Sequence, residues 1–474
     1  MSARVRSRSA DAPAAAVQSA PGPGGRAAVI HRELWGRSRS RSRGGGARAL
    51  SLAAPLLMFC GPIQAAGERP NVVVILSDDA GYADFSFQGS GEVATPNIDS
   101  IAARGVRCTS GYVSASVCSP SRAGLLTGRY QQRFGHDRNI PPAYSETNGL
   151  PLSEVLLPVV LRDTGYRTIA LGKWHLGYAP QFHPLERGFD DYYGFLQGAR
   201  SYRSMKGTRL NRLLRDREPV TEEFDYMTDE LGEQAAAYIE ANADRPFFLY
   251  LAFNAVHTPM HATDGDLQAV GEIGTPRRRK LIAMTRALDR SVGVVLARLR
   301  ALDLERDTLL FFLNDNGGAR TNASVNAPLR GRKGSPFEGG IRIPFLVQWP
   351  ARLPAGAIYA LPVSTLDVFA TATSAAGVES APRHALDGVD LVPFLRGERD
   401  HRPHEVLFWK RRDNMAIRSG DWKLVREGSD EPLLFDLALD PGEQRDLSAV
   451  HPELAGSLGE CWRAWSADLE EPRW

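Results

Sequence analysis

Residues 71–82 read NVVVILSDDAGY. Five consecutive apolar residues follow Asn71 without polar alternation, the pattern of a strand buried on both faces and so of a largely parallel sheet covered by helices. The run ends in Ser77, Asp78 and Asp79, and three later runs end in a similar way. TIAL (168–171) leads into Gly172, Lys173, Trp174 and His175, PFFLYLAF (246–253) leads to His257, and TLLFFL (308–313) leads into Asn314, Asp315, Asn316, Gly317 and Gly318. Open α/β sheets build their sites beyond the C-terminal ends of the strands. If these four strands are parallel, their polar ends converge on one edge, and the expected class is α/β with a central, mostly parallel sheet between helices.

Outward from these strands, residues 277–303 read as a long helix with Leu281, Leu288, Val292, Val295 and Leu299 on a core-facing stripe. The run Arg277 to Lys280 at its start reads as a solvated end. Beyond residue 398 the runs shorten to EVLFWKR, NMAIRSG, DWKLVREG and EPLLFDL, with turns at 420–421 and 427–430 and a helical tail at 449–467. This is the pattern of a small antiparallel sheet covered by one helix. Three segments follow: an N-terminal extension (1–67), a large catalytic domain (68–398) and a small C-terminal α+β subdomain (399–474).

The 474-residue chain has a formal net charge of +2. Residues 1–48 hold ten arginines and two acids, a balance of +8, so the remainder carries 47 basic against 53 acidic residues, or −6. RSRSRSRGGGARA (37–49) has the composition of a disordered segment, and with no recognisable binding module a nucleic-acid partner is not expected. Next, an apolar run from Ala49 to Cys60 follows basic residues and precedes Ala65, Ala66 and Gly67. That order is a secretory signal, and the run is shorter than the roughly 20 residues of a spanning helix. The expectation is a periplasmic or secreted protein with no stable transmembrane segment in the mature chain; a buried N-terminal helix is the alternative. Such a mature chain keeps Cys108, Cys118 and Cys461, an odd number, so one of them has another task. A Cys108–Cys461 pair and two unpaired apolar side chains both remain open.

Adjacent Asp78 and Asp79 repel each other unless a cation joins them, and Asp315 with Asn316 adds two more oxygen donors. Four oxygens without a Cys or His ligand favour Ca²⁺ or Mg²⁺ over zinc; the competing reading is of turn and cap residues. In VCSPSRAGLLTGRY (117–130), Ser119 suits an N-cap and Pro120 the first helical position, which sets Cys118 beside a helix N-terminus with Arg122 in the first turn and Gly128 at the end. Anions gather at such a terminus, and a positive neighbour favours an anionic nucleophile or substrate. Lys173 and Lys333 are candidate cationic donors, and His175 and His257 candidates for proton transfer.

The blocks NVVVILSDDAGY, TPNIDSIAARGV, CSPSRAGLLTGRY, GKWHLG, HTP, NDNGG, KGSPFEGGIRIP and DWKLV…LLFDLALDPGEQRDL run in order over roughly residues 70–447. Together they resemble the type I, formylglycine-dependent sulfatases of the alkaline phosphatase superfamily. The resemblance implies that Cys118 is converted to formylglycine before folding by a formylglycine-generating enzyme, with Pro120 and Arg122 at the centre of the maturation signal. It further implies one divalent metal, commonly Ca²⁺, on Asp78, Asp79, Asp315 and Asn316. A hydroxyl of the aldehyde hydrate would attack sulfur, with Arg122, Lys173 and Lys333 stabilising the transferring group. His257 or Lys333 would supply a proton to the leaving oxygen, and His175 would act as the base that releases sulfate. Glu338 matches the family with a structural role. Expected substrates are sulfated carbohydrates or aryl sulfates; a phosphate or phosphonate ester hydrolase of the same fold and a catalytically silent glycan-binding relative are the alternatives. Asn316, where phosphonate and phosphate hydrolases often carry histidine, leans toward sulfate.

Specificity in this fold lies in loops between the shared blocks. In residues 199–219, Arg200, Arg203, Lys206, Arg209, Arg212 and Arg215 recur every third position, which suits either a basic surface for an anionic polysaccharide or a solvated face. A single glycosylation sequon, at 322–324, lies beside the metal loop.

Overall fold

The computed structural model describes residues 69–204, 211–378 and 383–474; the N-terminal extension, the signal segment, Lys206 and Arg209 lie outside them. The four apolar runs are strands β1 (Asn71–Ser77), β2 (Arg167–Lys173), β3 (Phe247–Ala252) and β4 (Thr308–Asn314). They lie side by side in the order β4-β1-β3-β2 at the centre of a ten-stranded sheet and are parallel to one another, while the outer neighbour of β4, Phe345–Gln348, runs antiparallel. Every residue of β1, β3 and β4 is buried, which is why their sequences lack alternation.

Register fixes the site. Ser77 pairs with Asn314, Leu76 with Ala252 and Gly172 with Ala252, so Asp78, Asp315, Phe253 and Lys173 leave the sheet together at its C-terminal edge. Asp315 N donates to Ser77 O at 3.1 Å, and Asp78 N to Ala255 O at 2.8 Å, which extends the ladder one step into the loops.

The long helix spans Pro276–Ala301, with the expected stripe buried against the core. Its start departs from the solvated end expected. Arg278 is buried and its guanidinium lies 2.5 Å from Asp84 and 2.7 Å from Glu92. The partners arrive from loops nearly two hundred residues earlier, which helical periodicity could not reveal. Among the described residues no helix is long and apolar enough to cross a membrane.

The C-terminal strands Val406–Arg411, Asn414–Ser419, Trp422–Arg426 and Leu433–Asp436 form an antiparallel meander. Helix Pro452–Ala467 covers it with Leu458 and Trp462. A buried charge triad holds this sheet to the loops of the large one. Lys423 Nζ lies 2.9 Å from both Glu338 Oε1 and Glu443 Oε1, all three side chains being fully enclosed, and Tyr112 donates to Glu338 Oε2 at 2.6 Å. Burial works against the Glu338 carboxylate, but Lys423, Arg342 and Arg418 overcome it and hold its pKa near 2. Glu443 receives less compensation, and burial, opposed by Lys423 and reinforced by Glu338, lifts it to about 7. A carboxyl group whose folded pKa is raised binds protons more tightly in the folded state. Its stabilisation is complete below its ordinary pKa of 4.5 and is lost as pH rises through about 7. Urea midpoints are therefore expected to fall between about pH 5 and about pH 8, and Glu443→Gln to flatten that fall; an equally steep decline in the variant would refute the assignment.

Cys108 is buried in strand Val106–Cys108, Cys461 is exposed on the C-terminal helix, and both are free thiols, so the two do not pair. The sequon asparagine is also enclosed: Asn322 is fully buried, its amide donating at 3.0 Å to the carbonyls of both Asp79 and Val256. The folded protein therefore offers no glycan acceptor there. The described arginines of residues 199–219 are engaged within the fold. Arg200 is buried, Arg203 donates to Ala262 O at 3.0 Å, and Arg215 stacks 4.7 Å over the Tyr193 ring.

Candidate active site

The nucleophile block forms helix Cys118–Thr127, closed by Gly128 in the left-handed region at φ +65°. The helix starts earlier than Ser119 and Pro120 suggest: Val117 is its N-cap and Cys118 its first residue. Ser119 does not cap because its hydroxyl is committed elsewhere, donating to His175 O at 2.7 Å and lying 2.7 Å from His136 Nε2.

Cys118 Sγ is buried, with Lys333 Nζ at 3.0 Å and Asp78 Oδ1 at 3.8 Å. Burial, then the Asp315 charge, push its thiol up to about 12, against the pull of Lys173 and Lys333. The expectation of an anionic nucleophile at a cationic helix terminus is thus reversed for the unmodified thiol. Desolvation and carboxylates win, and an unmodified Cys118 stays protonated at neutral pH.

Arg122, one turn along, is fully buried and reaches across the sheet edge. Its Nε and Nη2 donate to Asp315 Oδ2 at 3.0 and 2.8 Å and its Nη1 to Lys173 O at 2.9 Å. Lys173 Nζ lies 2.5 Å from Asp78 Oδ2, and Lys333 Nζ 2.5 Å from Asp79 Oδ1. Burial pushes the Asp78 carboxyl up, but Lys173, His257, Arg122 and Lys333 together hold it well below the usual range. His257 Nε2 lies 3.5 Å from Asp79 Oδ2. His175 adopts φ +60°, and its ring sits where a Cβ on Gly198 would approach to 2.6 Å, so Gly198 leaves the space the imidazole fills. Burial, then Lys173 and Arg122, hold His175 well below its ordinary pKa, and its buried Nδ1 has no hydrogen-bond partner.

All ten residues singled out from the sequence thus share one neighbourhood at the strand ends. Carboxylate, thiol and imidazole atoms of Asp78, Asp79, Cys118 and His257 lie within 4.8 Å of one another. Asn316 donates to Asp79 Oδ1 at 2.8 Å while its own Oδ1 is buried with no partner. An orphaned buried oxygen among three carboxylates fits a hard cation, which takes oxygen donors of this type. Residues that the sequence did not single out hold these ligands. Asn322 and Ser324 both donate to Asp79 O, at 3.0 and 2.7 Å, fixing a residue at φ +63°. Asn314, last in its strand, donates to Ala80 O at 2.6 Å and accepts from Ser77 Oγ at 2.8 Å. Its place beside Asp315 was visible in the sequence; its bonds to the opposite loop were not.

Parallel strands thus carry a buried cysteine and converging oxygen donors that could hold a metal ion to one sheet edge, and the family described as Sulfatase matches residues 70–378. The chain belongs to this family, has its alkaline phosphatase-like fold and is a sulfuric ester hydrolase. It is 34% identical over 462 residues to the N-acetylgalactosamine-6-sulfatase of Canis lupus familiaris, covering 84% of this chain and 86% of that one. It is 33% identical to arylsulfatase A of Bos taurus, covering 82% and 86%. Among solved structures, Ps i-CgsB in complex with k-i-k-neocarrahexaose superposes with a TM-score of 0.82 at 34% identity, covering 86% of this chain and 95% of that one. The phosphonate monoester hydrolase of Agrobacterium radiobacter shares the fold at a TM-score of 0.60 and 22% identity, covering 84% and 96%.

Proposed function

We propose that the chain hydrolyses sulfate monoesters of a sulfated carbohydrate, with Cys118 matured to formylglycine by a formylglycine-generating enzyme and a divalent cation, Ca²⁺, on Asp78, Asp79, Asp315 and Asn316. The supporting observation is Cys118 Sγ held between Lys333 Nζ at 3.0 Å and the carboxylate of Asp78 at 3.8 Å. A protonated thiol is a poor nucleophile there, whereas an oxygen nucleophile at the same point faces both cationic donors and the oxygen cluster. The bound cation supplies Lewis acidity and orientation for the sulfate group.

The chain's own residues divide the remaining work. Arg122, Lys173 and Lys333 place positive charge where the sulfuryl group becomes more negative. All three stand against the carboxylates that would hold the metal, Arg122 on Asp315, Lys173 on Asp78 and Lys333 on Asp79. His257, at the more open side of the site, donates a proton to the leaving oxygen, with Lys333 as the alternative donor. His175 is neutral and seated against Gly198, as suits a base that takes a proton from the nucleophile's side of the reaction. The expected destination is the periplasm or the exterior, reached through the segment 49–67.

Chelation tests the oxygen cluster. Removing divalent cations is expected to abolish turnover and lower the melting temperature, and Ca²⁺ to restore both. Saturation about 1,000-fold above Kd is worth about 4 kcal/mol, and Tm unmoved by chelation would exclude this site as the cation's. The function itself is tested by co-expression with a formylglycine-generating enzyme, the mass of the Cys118 peptide, and release of inorganic sulfate from sulfated sugars with an aryl phosphate as control. An aldehyde with sulfate release supports the reading; phosphate release alone, or an unmodified thiol in an active enzyme, overturns it.

A further inference from the structure

Two segments from distant parts of the sequence meet beside the nucleophile and carry an excess of positive charge. The first is the hairpin end of the first two C-terminal strands, where Lys410 and Arg411 close one strand and Arg412 and Asp413 form the turn. Arg411 Nη1 and Asn414 Nδ2 both donate to Gly334 O, at 3.3 and 3.2 Å, while Gly334 N donates to Ser116 O at 2.7 Å. The turn is therefore anchored one residue from Lys333 and two from Cys118. The second segment is 137–139. Asp137 accepts from Arg412 N at 3.4 Å and pairs with Arg138 at 3.3 Å, and Asn139 Oδ1 accepts from Ser119 N at 3.0 Å. Both segments are thus tied to residues that bracket Cys118 in the chain.

The buried Asp137 carboxylate is thus held by the Arg138 guanidinium and the Arg412 backbone, with the Arg411 guanidinium within electrostatic reach of all three residues; Asp413, the other acid of the turn, is exposed. Arg411 Nε is buried with no hydrogen-bond partner. Burial, then the charges of Arg412 and Arg138, hold the Arg411 pKa below its ordinary value against the pull of Asp137. Guanidinium groups match oxyanions in geometry as well as in sign.

We propose that Arg138, Arg411 and Arg412 form a second anion subsite, holding a sulfate or carboxylate borne by the sugar that flanks the one being desulfated. This rests on the sulfated-carbohydrate reading above and narrows it to polyanionic chains. The catalytic centre recognises the scissile sulfate; the subsite selects for a neighbour that is also charged. Its contribution weakens with ionic strength because Arg138 and Arg412 are solvent-accessible.

The test uses mature wild-type enzyme and the Arg411→Gln/Arg412→Gln double variant, with two matched pairs of probes. One pair is a chondroitin sulfate tetrasaccharide and its uronate methyl ester; the other is kappa- and iota-neocarratetraose, which differ in sulfates on the flanking ring. In at least one pair, the wild type is expected to show a KM lower by about tenfold or more for the member with the additional anion. The double variant is expected to erase that preference while kcat, and KM for the less charged member, stay within about twofold. The pair that responds identifies the anion as carboxylate or sulfate. Sulfate release with no wild-type preference, or with a preference the variant retains, overturns the subsite alone. No sulfate release from any probe by enzyme carrying the aldehyde overturns the carbohydrate reading and the subsite with it.

Discussion

Cys118→Ala, produced alongside a formylglycine-generating enzyme, is expected to lose about 10⁴-fold or more in kcat while folding normally. The size follows from what alanine lacks: no sulfur to oxidise, hence no aldehyde and no oxygen nucleophile, and residues that act as a unit lose nearly all of their combined effect when one is removed. Folding is spared for local reasons. Cys118 is the first residue of its helix, where alanine is well tolerated, and the ion pairs of Lys173, Lys333 and Arg122 with the carboxylates do not pass through sulfur. Retention of more than about 1% of wild-type turnover would mean that another group performs the displacement. Unchanged circular dichroism and Tm separate this loss from misfolding.

The second large effect is on stability. Lys423→Met keeps most of the side-chain volume but leaves Glu338 and Glu443 enclosed without the ammonium that lies 2.9 Å from each. Removing one partner from a buried ion pair costs about 3–5 kcal/mol, because the remaining charge cannot be solvated. Protonation of Glu443, already raised to about 7, relieves part of this loss, so the deficit is expected to be greatest above about pH 8 and to shrink in acid. Denaturant midpoints across that range provide the check; a loss below about 1 kcal/mol would show that water or Arg342 and Arg418 replace the ammonium. Activity should fall as well, since Glu338 heads the short helix Glu338–Ile341 that follows the Lys333 loop.

The sequence disclosed some of this architecture and concealed the rest for identifiable reasons. β1, β3 and β4 were legible because burial on both faces leaves an apolar run, and Asp78, Asp79, Asp315 and Asn316 were legible because they stand directly beyond those runs. His257 was legible as a polar residue shortly beyond PFFLYLAF, and Lys333 only as a candidate cation; their particular roles came with the resemblance to sulfatases. Asn322 and Ser324 look like a glycosylation signal because a tripeptide carries no information about burial; their partners are the backbone of Asp79 and Val256, placed by the fold. The burial of Arg278 against Asp84 and Glu92 is invisible to helical periodicity, which describes one element and says nothing of loops that arrive from elsewhere. The helix start shifted because the Ser119 hydroxyl is engaged by His136 and the backbone of His175. The small antiparallel sheet was legible from alternation and turns, but the triad that fastens it was not, since Glu443 occupies an ordinary-looking loop.

The side-by-side placement of β1 and β4 also governs the order of events during synthesis. Arg122 cannot lock onto Asp315 until the ribosome has added the 193 residues that separate them, and β1 lacks one of its two central neighbours until then. At about 5–20 residues per second, that interval is about 10–40 s. For that time the nascent CSPSR segment has no completed sheet edge against which to be buried, so the formylglycine-generating enzyme proposed above would have a kinetic window whose length is set by chain topology.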